Sequence, residues 1–227
     1  MTATTSRARA SWARRGLGTR APHPDAKAML LHQLYLALYD DGEFREAYEI
    51  AVQATELDVL PDVMHEDAAR AMQALGDIEG AVRHLRLAVR LGPASRRAFH
   101  WWTLGSVLFL AGRNAEAIAA LERAARWGTN DKPLYQGHLA LAKCRAGRKV
   151  RDLDAIIERL AGCPAGQGYG RFVLGQLAYQ SSRFEDARAY LQAFVGRTAK
   201  ARRPMQIALS GEVEMAQRTL DEIDRAG

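Results

Sequence analysis

Apolar residues along the chain recur at three- and four-residue intervals, in helix-length stretches interrupted by single small or polar turn residues. The pattern is clearest over 101–128, where Trp101, Leu104 and Leu108 share one face, Gly112 interrupts, and Ala117 and Leu121 resume the period until Gly128. Such spacing predicts two amphipathic helices joined by a tight turn. Pro93 and Ser95 open the first, Asn114 reads as the N-cap of the second, and Gly128 suits a left-handed residue after its last turn. Asp77 reads in the same way as a cap, and Leu153, Ile156, Ile157 and Leu160 form a further stripe at i, i+3, i+4 and i+7. Strand-like alternation is missing, so the chain is expected to be all-α.

The helix-turn-helix pattern repeats. Its turn residue falls at Gly42, Gly76, Gly112, Gly147, Ser182 and Gly211, at separations of 34, 36, 35, 35 and 29. Five residues after each landmark stand Ala47, Ala81, Ala117, Asp152, Ala187 and Ala216, small except for Asp152. Nine after stand Ala51, Leu85, Leu121, Ile156, Leu191 and Leu220, as expected of a packing position on the second helix. A slip of register in the fourth unit accounts for Asp152 and Arg159. The expected units are 28–61, 62–97, 98–131, 132–167 and 168–200 within an array spanning 25–200. Residues 201–227 form a degenerate sixth unit whose acidic and basic helix, 205–225, caps the array. The glycine-rich stretch 162–170 matches no phosphate-binding motif and reads as a flexible joint between units.

Trp101, Leu104, Gly105, Ala117 and Leu121 stand where the tetratricopeptide repeat places its signature residues, with Leu108 replacing an aromatic. The chain therefore resembles the tetratricopeptide repeat (TPR) family over most of its length. The resemblance implies an α-solenoid, a right-handed superhelix of about five repeats with a C-terminal capping helix, that acts without catalysis by holding another protein. In that family the first helices of successive units line a concave groove for an extended peptide or a helix. The matching positions here are Phe99, Trp102, Ser106 and Phe109, then Leu134, Gly137, Leu141 and Cys144, then Tyr169, Phe172, Gln176 and Tyr179. Phe99, Trp102, Phe109, Tyr169, Phe172 and Tyr179 are the expected apolar anchors, with Leu141 and Cys144 as floor. The alternative is that these aromatics pack between neighbouring helices. Trp101 is assigned to the fold and Trp102 to the groove. The chaperone-binding members use Lys and Asn at positions that here carry His32, Leu36, Val63 and Asp67, so a carboxylate clamp is not expected. An apolar or amphipathic segment of a partner protein is the expected ligand.

Charge changes this picture little. The net charge is +6, but residues 1–24 hold Arg7, Arg9, Arg14, Arg15 and Arg20 and no acid, leaving 27 basic against 26 acidic residues beyond them. A near-neutral array lacks the basic footprint of a nucleic-acid binder, so nucleic acid is an unlikely partner and binding through the tail is a third reading. Residues 1–24 are expected to be a disordered basic tail because they offer little apolar surface to bury; organellar targeting is the lesser reading. The basic clusters Arg145, Arg148, Lys149, Arg151 and Arg197, Lys200, Arg202, Arg203 are expected at solvated ends of units.

No apolar run reaches the length of a membrane span. Cys144 and Cys163 form no close pair, which suits a reduced, cytoplasmic chain. His23, His32, His65, His84, His100 and His138 have no metal-ligand spacing and read as surface or groove residues. No nucleophile motif is present, so no catalytic residue, metal or cofactor is expected. Besides an adaptor or chaperone-like binder, a self-associating structural subunit remains open.

Overall fold

In the computed structural model, which describes residues 2–19 and 22–226, the first five turn landmarks all take the left-handed region. Gly42, Gly76, Gly112, Gly147 and Ser182 have φ of 87°, 81°, 73°, 70° and 58°. Glycine enters this region without the Cβ clash that restricts other residues, and only Ser182 departs from it. The residue after each landmark donates its N–H to a carbonyl five positions back: Glu43 to Leu38, Asp77 to Met72, Arg113 to Leu108, Arg148 to Lys143 and Arg183 to Ala178, at 2.8–2.9 Å. This closure satisfies carbonyls that a helix end leaves free and turns the chain into the next helix. Gly211 does not follow the scheme; it lies inside a helix.

Among the described residues there are thirteen α-helices and no strand, in two compact units divided after Arg96. In the first unit α1 (Thr2–Leu17), α2 (Pro24–Asp41), α3 (Phe44–Thr55), α4 (Pro61–Ala74) and α5 (Ile78–Leu91) pack each on its chain neighbour. Ala28, Leu31, Ala54 and Met64 form a core cluster there. Helix α1 corrects the expectation of a disordered tail. Ala10 and Ala13 are buried, Ser6 Oγ donates to Asp41 at 2.6 Å, and Arg9 and Arg14 reach Asp40 and Glu46 at 3.3 and 3.0 Å. The acidic partners lie on α2 and α3, more than 30 residues away, where the tail's own composition gave no sign of them. Arg20, counted in the same stretch, lies outside the described residues.

The second unit begins within α6 (Ala94–Leu110) and continues through α7 (Asn114–Trp127), α8 (Lys132–Arg145), α9 (Leu153–Ala161), α10 (Tyr169–Gln180), α11 (Phe184–Ala199), α12 (Arg203–Ala208) and α13 (Ser210–Ala226). Two of its hairpins close so tightly that a side chain would not fit. A Cβ on Gly105 would lie 2.6 Å from Leu121 Cγ, and one on Gly175 would lie 2.5 Å from Leu191 Cγ. Gly128 is extended (φ −64°, ψ 147°) rather than left-handed; its Cβ would meet the Tyr135 ring at 2.6 Å, so close approach explains it. The cap of α7 is Arg113 rather than Asn114, whereas Asp77 accepts from the Gly80 N–H at 2.7 Å as a capping side chain should.

The fourth hairpin departs from the others. Its second helix starts six residues after the turn glycine instead of two, and Asp152, exposed and left-handed at φ 54°, precedes it. Ile157 and Leu160 are buried while Ile156 is only half-buried, so the packing register has slipped by one. The glycine-rich stretch after α9 is tightly packed rather than an open joint. Gly166 and Gly170 each press against backbone, of Leu160 and Ala165 respectively, leaving no room for a Cβ.

Candidate binding groove

Helices α6, α8 and α10 are the first helices of three successive hairpins, and their shared face carries the aromatics singled out by spacing. Ring contacts run from Phe99 to Trp102 (5.8 Å between centroids), Trp102 to Tyr169 (5.0 Å), Tyr169 to Phe172 (5.6 Å) and Phe172 to Phe194 (5.5 Å). Edge-on and tilted contacts of this length are favourable for aromatic pairs. The predicted residues are thus brought together, but not as one open wall. Phe109 and Phe172 are wholly buried, and Leu141 is buried with them. Trp102, Tyr169, Tyr179 and Cys144 are half-buried, and Phe99 alone of the set is exposed. Packing between helices, the alternative use of such a stripe, holds for Phe109 and Phe172.

His138 of α8, expected at the surface or in the groove, has no exposed surface and sits at the centre of this cluster. The Trp102 indole N–H donates to its Nδ1 at 3.2 Å, and Ser106 Oγ lies 3.5 Å away. Its ring also meets Phe109 edge-on at 5.0 Å and Tyr169 at 5.7 Å. Burial among aromatics disfavours the imidazolium and pushes its pKa down to about 3. His100 is likewise buried. Trp102, assigned to the groove by spacing, therefore takes part in the packing, while Trp101 is half-buried beneath the Arg123 guanidinium at 4.5 Å.

Helix α13 packs on α10 and α11, and its first turns reach the face of α6 and α8. A stripe of Glu212, Ala216, Thr219, Leu220 and Ile223, spaced i, i+4, i+7, i+8 and i+11, is buried along that helix. Ile223 packs on Ala178 and Ala187, Gln176 donates to Thr219 Oγ1 at 3.0 Å, and the Tyr179 hydroxyl donates to Glu222 at 2.8 Å. Arg188 pairs with Asp224. The first turns of α13 reach further across. A Cβ on Gly211 would lie 3.3 Å from Leu110 of α6, and Met215 Sδ is 3.8 Å from Arg145 Nη1 of α8. Arg145 also stacks on Phe109 at 4.9 Å, so one member of the first basic cluster is drawn into the groove. Arg148, Lys149 and Arg151 remain exposed, as do Arg197, Lys200, Arg202 and Arg203.

Glu212 was not legible as a site residue, because its neighbours in sequence are those of a solvated helix. It lies beside the Tyr169 hydroxyl, and desolvation pushes its pKa up to about 7, partly offset by a backbone hydrogen bond and by Tyr169. Burial and the Glu212 charge raise the Tyr169 pKa well above its usual value. A cleft of about 350 Å³ remains beside α13, bounded by Phe109, Leu141, Arg145, Tyr179 and Met215 among others.

In the first unit the positions that distinguish a carboxylate clamp are spent on each other. His32 Nδ1 lies 2.6 Å from Asp67 Oδ2, and Arg70 bridges Glu66 at 3.0 Å and Asp67 at 3.9 Å. Among the described residues no cluster of three or more His, Cys, Asp or Glu side chains is placed to hold a metal, and no helix is long and apolar enough to cross a membrane.

No family model matches the chain, and no curated protein matches it. Solved structures do. A Podosopora anserina protein described as a kinesin light chain with nearly identical TPR-like repeats is 18% identical, with 91% of this chain and 96% of that one aligned at a TM-score of 0.51. A second crystal structure under the same description aligns over 90% and 96% at 18% identity and a TM-score of 0.50. With all-helical hairpins closed by left-handed turns, this likeness shows the fold: among the described residues the chain has a TPR-like repeat fold.

Proposed function

We propose that the chain is a non-enzymatic protein-interaction module that holds an amphipathic helix of another protein against α6, α8 and α10. One observation carries this reading: the face that spacing marks as a groove already accommodates a helix, α13, along a stripe of buried side chains. An exposed anchor, Phe99, extends that face beyond the resident helix, and the half-buried Leu110 borders the first turn of α13. Concave faces with aromatic anchors are favoured places for recognition. Two free cysteines, Cys144 and Cys163, fit a reducing compartment, and the cytoplasm is the proposed location.

Affinity capture with the full chain, followed by titration of the recovered partner, tests the reading. The double variant Phe99→Ala with Leu110→Asp, checked for an unchanged thermal melt, is expected to lose at least tenfold in affinity. Full retention by the folded variant overturns the groove assignment. Self-association is the second reading, favoured by the tether of α13, since α12 buries no residue. Light scattering across concentration separates a dimer from a monomer.

A further inference from the structure

The seat of α13 has a chemical character that defines what else fits it. Its first turn delivers a carboxyl group, Glu212, into a buried site beside Tyr169. Tyr169 stands beside that group, and Ser106 and His138 lie behind Tyr169. A carboxylate in the first turn of a helix is stabilised by the helix's own free N–H groups, and Glu212 draws on a backbone hydrogen bond of this kind. An acid therefore enters this site best from the N-terminal turn of a helix. Three to four residues later the seat narrows, and Ala216 is wholly buried. One and two turns further, the aliphatic anchors Leu220 and Ile223 meet α10 and α11.

The same features make α13 removable. Its tether, Lys200 to Leu209, contains a six-residue helix with no buried residue. Its apolar stripe has only two large aliphatic side chains. A carboxyl group is buried where solvation is lost, which works against docking at neutral pH. Elements with few buried contacts and a buried ionisable group belong to the low-stability end of a fold.

We infer that α13 is a displaceable resident ligand of the groove, and that the partner is a helix of like chemistry: an acidic residue in its first turn, a small residue four positions on, and aliphatic residues at eight and eleven positions on. This inference rests on the binding-module reading and adds the chemistry of the partner and the competition it must win.

The test uses a fluorescent synthetic peptide of residues 210–226 and the full chain. In Leu220→Asp with Ile223→Asp the chain's own α13 is loosened, and this variant is expected to bind the peptide at least tenfold more tightly than the unmodified chain. A peptide carrying Glu212→Lys is expected to lose at least tenfold. Equal binding by the loosened and unmodified chains, or equal binding of the two peptides, overturns the inference. Hydrogen exchange on the unmodified chain covers the case of a misfolded variant: α13 amides are expected to exchange at least tenfold faster than those of α10, and equal protection makes α13 an integral element and overturns the inference. Peptide binding without any captured protein partner leaves the inference standing and removes the binding-module reading. A captured partner that binds while α13 stays protected does the reverse.

Discussion

The Trp102 indole N–H donates to Nδ1 of the fully buried His138 across 3.2 Å, joining α6 to α8. The acceptor role of Nδ1 puts the proton of the neutral ring on Nε2. Because Trp102 is bound in this way, it contributes to folding. Trp102→Phe keeps most of the ring and loses the donor, and is expected to cost about 1–2 kcal/mol. Trp102→Ala also leaves a void and is expected to cost about 3–5 kcal/mol. Urea denaturation of both variants, followed by helical circular dichroism, measures this; an unchanged midpoint for Trp102→Phe contradicts it.

Two buried groups give the second unit opposing pH dependences. The pKa of Glu212 rises from 4.5 to about 7 in the folded chain, so the docked state holds the proton more tightly than the free one. Docking of α13 is then strengthened as pH falls from above 7 to below 4.5, by up to about 3 kcal/mol. His138 moves the other way, from 6.5 to about 3, and its contribution is complete above 6.5 and lost as pH falls toward 3. Amide protection of α13, corrected for intrinsic exchange, is expected to rise between pH 8 and pH 6 in the unmodified chain. In Glu212→Gln that rise should vanish, while the acid loss due to His138 remains.

Gly105 has no room for a methyl group against Leu121. Gly105→Ala is expected to force the third hairpin apart and cost about 1–3 kcal/mol, although alanine is the better helix former. Thermal denaturation is the check, and a raised melting temperature refutes the packing argument. Gly112→Ala, at φ 73° with nothing near its Cβ, isolates backbone strain from crowding at a neighbouring position.

Helix α1 is held by small buried residues and ion pairs, so one buried charge should release it. Ala13, 2% exposed, becomes a desolvated carboxylate in Ala13→Asp, and residues 5–17 are expected to lose amide protection while α10 is unaffected. Arg14→Ala, whose pair with Glu46 is exposed, is expected to change stability by less than about 1 kcal/mol. Equal protection of α1 in Ala13→Asp and the unmodified chain counts against its docked position.

The hairpins were legible in the sequence because their determinants are local. Gly42, Gly76, Gly112, Gly147 and Ser182 mark left-handed turns that few residues enter, and Ala47, Ala81, Ala117 and Ala187 mark contacts too close for larger side chains. Both constraints act within a single hairpin and leave a period on the chain. The groove was half legible. Spacing gathered Phe99, Trp102, Tyr169 and Phe172 on one set of helices, but whether an aromatic faces a neighbour or the open side depends on what lies over it.

That cover came from residues with no periodic signature of their own. Glu212 sits among polar neighbours like a solvated side chain, and Ala10 and Ala13 lie in a tail whose composition argues for disorder. Their burial depends on surfaces built by other elements: Tyr169 of α10 for Glu212, and α2 for α1. The repeated hairpins follow from backbone sterics and helical period, both written into the local sequence. That α1 docks on α2, and α13 on α10 and α11, follows from the assembled surface, because desolvation and ion pairing are properties of that surface.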